Sequence, residues 1–308
     1  MPTPVTVAVA IAVSLGLSVP VGQDTPARAP QLFRSALDVV TIHASVRDGR
    51  GRLVSGLTPA DFEIRDNGQL QPILSLRSDR QSPISLAILV DMSGSMRLSG
   101  KIPMARQAYA SVLAQLRQDH DEVGLFTFDE ALHERRGFTR DVSGLTDGLS
   151  DFEPFGSTSL YDATAAAARR LAARSGSNKA IVVLTDGIDT SSTLTAREVS
   201  GLAASIDVPV YIVATVPSSA ERQMMEDASR PAPETADLRN LAEWTGGRFL
   251  FASSFGETVV AATSLIADLR QQYVLAIQAA SDREWRRLDV RVRRPSTVVK
   301  ARAGYFGG

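Results

Sequence analysis

The chain has 308 residues, enough for a sizeable core and for more than one folding unit. A formal net charge of −1 argues against a dedicated nucleic-acid binder, which carries a basic face. With no cysteine, disulfides, thiolate zinc sites and lipid anchoring at Cys are all excluded.

The first element is VTVAVAIAVSLGLSVPVG (5–22), uncharged and apolar, which turns abruptly into polar QDTPARAP. This outline predicts an export signal over residues 1–29. No Lys or Arg precedes the run, and the A-x-A that follows it, Ala27-Arg28-Ala29, is followed in turn by Pro30. An uncleaved anchor over 5–22 is therefore the alternative, although about 20 apolar residues are needed to span a bilayer. Either way the body is expected to work outside the cytoplasm, secreted or periplasmic, touching a membrane only through a retained N-terminal segment.

Residues 30–82 read as a small antiparallel β segment. Val40, Ile42, Ala44 and Val46 alternate with more polar neighbours, and RDGRG supplies a turn. Thr58 before Pro59, with Asp61 beyond, predicts a capped single helical turn, and Asn67-Gly68 after FEIRD predicts a hairpin.

Over 83–271 the period changes. Apolar runs SLAILV, EVGLFTF, AIVVLT and VPVYIVAT alternate with amphipathic stretches that include KIPMARQAYASVLAQLRQD, SLYDATAAAARRLAARSG, TAREVSGLAASI and ETVVAATSLIADLRQQ. Strands apolar on both faces and bounded by helices indicate a doubly wound, Rossmann-like, mostly parallel sheet. EVGLFTFDEALHERRGFT reads as a hairpin that adds an antiparallel edge strand, and Gly246-Gly247 marks a helix end. The segment 217–237 is too long for an ordinary loop and leaves the rim that the strand ends define.

In 272–308 period two returns: Leu288, Val290 and Val292 alternate with Arg287, Asp289, Arg291 and Arg293, as on a strand with one solvated face. Neither end of the chain is long enough to bury a core alone. The expected architecture is therefore an α/β domain inserted in a small antiparallel β-sandwich that the N- and C-terminal segments form together.

Ligands of an open parallel sheet bind at the carboxyl ends of its strands. Asp91 ends ILVD, and Ser93 and Ser95 follow it; Asp186 ends VVLTD; Thr158 precedes the helix that begins in FGSTSLYDA. Two carboxylates and three hydroxyls from three turns are hard oxygen donors, suited to Mg²⁺, Mn²⁺ or Ca²⁺. An ion held by so few charges stays under-neutralised and keeps a position for an outside oxygen, such as the Asp or Glu of a protein partner. Asp162 and Asp189, beside these turns, are expected to cap or support them.

The pattern D-x-S-x-S, a downstream Thr and a strand-ending T-D-G resembles the von Willebrand factor A domain and its metal-ion-dependent adhesion site (MIDAS), over about 85–270. The resemblance implies that Ser93, Ser95 and Thr158 bind the ion directly, and Asp91 and Asp186 mostly through water. GRLVSGLTPADFEIRDNGQLQPI before the domain and QQYVLAI with RRLDVRVRRPSTVVKARAGYF after it look like bacterial exported proteins of the VWFA-related type. The resemblance also implies that movement of the last helix, about 256–271, alters the metal loops.

Other chemistries fit less well. GSMRLSGK lacks both the spacing and the Ser/Thr of a phosphate loop. A haloacid-dehalogenase-like phosphohydrolase would need an acid–base Asp where Ser93 stands. The three histidines, His43, His120 and His133, are scattered, and simplest as surface or strand residues. The expected function is thus a non-enzymatic, metal-dependent adhesion or scaffold module. A structural cell-envelope component with a non-essential metal site is the alternative.

Overall fold

Period-two alternation does in the first strand what it predicts: β1 (Val39–Asp48) turns Val40, Ile42, Ala44 and Val46 into a core. The computed structural model describes residues 39–98, 100–149, 153–176, 178–187, 189–216 and 233–307. The signal segment expected over 1–29 lies outside them, as do residues 217–232 of the 217–237 segment.

After β1 the Thr58 turn forms as expected, with the Asp61 carboxylate accepting from both the N–H and the hydroxyl of Thr58. β2 (Phe62–Asp66) and β3 (Gln69–Gln71) make the hairpin. Asn67 and Gly68 both have positive φ, 47° and 84°, which a two-residue turn between right-twisted strands requires. β4 (Ser75–Asp79) then leads into the central domain.

The central sheet takes β5 (Ile84–Asp91), β6 (Glu122–Phe128), β7 (Leu132–Thr139), β8 (Asn178–Thr185), β9 (Val210–Thr215) and β10 (Phe249–Ala252) in the order β10-β9-β8-β5-β6-β7. All pairings are parallel except β6–β7, the predicted antiparallel edge. Every residue of β5 is buried. Ile84, Leu86, Ile88 and Val90 face one layer, with α1 (Lys101–Leu113) and the last helix, α5 (Phe255–Arg270). Ala87 and Leu89 face the other, with α2 (Leu160–Ala172), α3 (Ala196–Ser205) and α4 (Pro233–Trp244). A strand covered on both faces must be apolar throughout, which is why these runs do not alternate.

The tail supplies β11 (Gln272–Gln278), β12 (Trp285–Val292), β13 (Thr297–Ala301) and β14 (Gly304–Phe306). They join the N-terminal strands in two four-stranded antiparallel sheets, β13-β1-β11-β4 and β14-β12-β2-β3. Ile42, Leu275 and Ile277 from the first sheet meet Phe62, Ile64, Leu288 and Tyr305 from the second in one buried cluster. The chain therefore leaves the sandwich through β4, builds the α/β domain, and returns through β11.

Buried polar contacts fasten the two parts. Arg302, 6% exposed, donates to the carbonyls of Ala204 and Thr41, and His43 on β1 meets Asp207 just beyond α3. These contacts lie where α3 ends and β9 is about to begin, so the sandwich attaches at the N-terminal ends of the parallel strands. The predicted ion-binding rim lies at the opposite ends.

Candidate metal centre

Three loops meet at the C-terminal ends of β5 and β8, and the second of them is tied to both the first and the third. The first follows β5. Asp91 accepts from the N–H of Ser93 (2.9 Å), and the hydroxyls of Ser93 and Ser95 lie 3.0 Å apart. A 3-10 turn over Gly94–Arg97 starts here, so the serines do begin a helical turn, but neither hydroxyl is spent as its cap.

The second loop contains Thr158 and enters α2. The Gly94 N–H donates to the Gly156 carbonyl (2.9 Å) and the Phe155 N–H to the Met92 carbonyl (2.7 Å), which holds it against the first. Gly156 has φ of 87°, a left-handed conformation that a side chain would strain. The third loop follows β8. The Thr158 carbonyl accepts from the N–H groups of Thr190 and Ser191, fixing the second loop to the third. Asp189 accepts from the N–H of Tyr161 and from both the N–H and hydroxyl of Ser192, while Asp162 accepts from Thr193 and Leu194. Both play the supporting part expected of them.

The five predicted residues therefore sit on one rim, and four of them are deeply buried: Asp91, Ser93, Thr158 and Asp186 are all 5% exposed or less. Two residues that sequence reasoning did not assign bond to the two carboxylates. Thr185 donates from its hydroxyl to Asp91 Oδ2 at 2.6 Å, and Lys101 Nζ donates to Asp186 Oδ2 at 3.1 Å. Thr185 stood in view in the strand-ending T-D-G. Lys101 stood in GSMRLSGK, where a cation at the start of a helix was the available signal.

Electrostatics favour a cation. Burial pushes the Asp91 carboxyl up to about 6, against the hydrogen bonds from Thr185 and Ser93, and nearby Asp186 adds to the rise. Asp186 Oδ1 is buried without a hydrogen-bond partner among the described residues. A buried carboxylate oxygen left unpaired is costly unless something outside the protein satisfies it. The donor set, two carboxylates and neighbouring hydroxyls, fits a hard divalent ion. No group of three or more His, Cys, Asp or Glu residues suited to a metal occurs among the described residues, so a thiolate or imidazole centre is not the alternative there.

Residues 86–188 match the family described as von Willebrand factor type A domain. No curated protein matches the chain. Among solved structures, one similar to it is a von Willebrand factor type A protein from Catenulispora acidiphila, at 12% identity and a TM-score of 0.51, covering 89% of this chain and 76% of that one. Another is proximal thread matrix protein 1 from the mussel byssus, solved with zinc in its MIDAS motif, at 14% identity and a TM-score of 0.51, covering 66% and 50%. BatB from Bacteroides thetaiotaomicron aligns at 18% identity and a TM-score of 0.48, covering 61% of this chain and all of that one. The matched segment begins inside β5, contains the first two loops and ends at the start of the third, just past Asp186: over residues 86–188 the chain is similar to the von Willebrand factor type A domain.

Proposed function

We propose that the protein is an exported, non-enzymatic binding module that captures an acidic residue of a protein partner through a divalent ion, Mg²⁺ or Mn²⁺ before Ca²⁺. Ser93, Ser95 and Thr158 would hold the ion directly, with Asp91 and Asp186 acting mostly through water. When bound, such an ion supplies a Lewis-acidic position that a partner's Asp or Glu completes. The protein's own part is to keep the Ser93 and Ser95 hydroxyls together and to fix Asp91 with Thr185 and Ser93.

The observation that supports this reading most is the buried Asp186 Oδ1, without a hydrogen-bond partner among the described residues, on the same rim as the paired serine hydroxyls. The mussel-byssus protein, similar in fold, carries zinc in its own motif, so Zn²⁺ belongs among the ions to be tried. Against catalysis stands Ser93, where a phosphohydrolase of the haloacid-dehalogenase type would need its acid–base carboxylate.

The test is calorimetric titration of the chelator-treated full chain with Mg²⁺, Mn²⁺, Ca²⁺ and Zn²⁺, beside the Ser93→Ala/Ser95→Ala double variant. Saturable heat in the parent that the variant loses is the expected result. Equal binding by both proteins would remove the site from these serines.

A further inference from the structure

Lys101 is an odd residue to find where it is. It is the first residue of α1, where the helix dipole disfavours a cation, and it is only 9% exposed, where desolvation does so too. The first turn of α1 holds no acidic residue that would compensate. Gly100, at φ 76°, makes the left-handed turn that brings Lys101 into place, and the ammonium then reaches across to the strand-ending Asp186, 85 residues away in sequence.

We propose that Lys101 is a tethered counter-cation of the metal centre: it occupies one oxygen of Asp186 and thereby sets how tightly the site holds its ion. The inference rests on the metal-binding reading above and deepens it. In their ionised forms Asp91 and Asp186 bring two formal negative charges, and Lys101, ion-paired to Asp186, returns one positive, so the protein offers a divalent ion a formal net charge of −1. An ion bound there retains positive charge that a partner's carboxylate neutralises. Without Lys101 the protein alone would balance the ion, and an acidic partner would gain less by joining it. Lys101 therefore trades intrinsic metal affinity for dependence on the partner.

The geometry divides the two oxygens of Asp186. Asp186 Oδ2 is engaged by Lys101 while Oδ1 has no partner among the described residues. One oxygen is thus kept by the protein and the other left for the ion or its water.

The experiment titrates Mn²⁺ alone into the chelator-treated full chain and into Lys101→Met, Lys101→Gln and Lys101→Arg, each with and without Ser93→Ala/Ser95→Ala. Lys101→Gln retains a donor for Asp186 and serves if the Met variant does not fold without metal. The expected result is Mn²⁺ affinity raised on the order of tenfold or more in the uncharged variants, where the repulsion between ammonium and ion is removed, unchanged in Lys101→Arg, and lost in every serine background. Mn²⁺ should also raise the melting temperature of Lys101→Gln more than that of the parent. If the uncharged variants bind Mn²⁺ no more tightly than the parent while the serine variants lose it, Lys101 is structural and only this inference falls. If no protein of the set binds Mn²⁺, the metal-binding reading falls with it.

Discussion

Arg47 on β1 of the sandwich reaches Asp268 near the end of α5, Nη2 to Oδ1 at 2.7 Å and Nε to the same oxygen at 3.0 Å. Asp268 is fully buried, and its second oxygen takes Nη1 of Arg248, which precedes β10, at 3.0 Å. One carboxylate therefore fastens the last helix to both the sandwich and the central sheet. Since α5 leads directly into β11, its C-terminal end is held by a salt bridge as well as by the chain.

Removing the shared carboxylate leaves two guanidinium groups facing each other. Asp268→Ala is expected to cost about 3–5 kcal/mol, the range for breaking a buried ion pair from one side. Arg47→Ala should cost less, because Arg248 still neutralises Asp268. Urea denaturation of both variants checks the order; equal losses would mean that the sandwich contact carries the whole effect.

Thr185 offers a way to weaken the metal centre without touching a proposed ligand. Its hydroxyl orients Asp91 from the neighbouring strand. Thr185→Val keeps the shape and removes the donor, and outer-shell losses of this kind typically lower metal affinity about 10–100-fold. Circular dichroism should show the fold intact while the Mn²⁺ isotherm moves to higher concentration. An isotherm that does not move would mean that the Ser93 N–H alone positions Asp91.

The acid stability of the chain should follow Asp121. Burial alone would push its carboxyl up, but Arg270 and the N–H groups of Ile84 and Arg117 outweigh this and hold it below its ordinary value of 3.8. Asp207 shifts the same way: burial raises it, and Arg302 and His43 bring it below that value. A depressed carboxyl contributes stability that is fully present above the unfolded pKa and is lost as pH falls through the folded one. Asp91, raised to about 6, works the other way and adds stability as pH falls through that value, so the melting temperature of the metal-free chain should not fall between pH 7 and about 5 and should drop steeply below about 4. Asp121→Asn should start lower at neutral pH and show a shallower acid decline; a parallel decline would assign the acid lability elsewhere.

The fold, and the placing of five polar residues on one rim, were legible because their signals are local. A strand's apolar run, the polar residues at its end and the Asn67-Gly68 turn each lie within a few positions. What stayed hidden are pairings made only when the sheet assembles: Lys101 with Asp186, Thr185 with Asp91 and Arg47 with Asp268 are 85, 94 and 221 residues apart. His43 shows the same limit. It sits on a strand as expected, but its side chain is 8% exposed and bonded to Asp207, across the junction of the two parts. Periodicity tells which face of a strand is buried, not which polar group waits on the other side.

Phe155 is the residue by which partner capture can be separated from metal binding. It stands 79% exposed in the second loop, three residues before Thr158, and its N–H is bound to the first loop at Met92. Leu98, 62% exposed, stands three residues beyond Ser95. Two large apolar side chains thus flank the rim on loops that the metal residues share. Aromatic residues, Phe among them, are enriched in protein interfaces, where a few side chains carry most of the energy. Phe155→Ala should change stability by no more than about 0.5 kcal/mol, as surface substitutions do, and should leave the Mn²⁺ isotherm in place. Its effect should fall on the captured protein: with a partner identified by Mn²⁺-dependent, chelator-reversible retention, affinity should drop about tenfold or more. Retention that survives in Phe155→Ala but is lost in Ser93→Ala/Ser95→Ala would confine recognition to the ion itself. Retention lost in Phe155→Ala and kept in the serine variant would instead make the apolar rim, and not the ion, the site of capture.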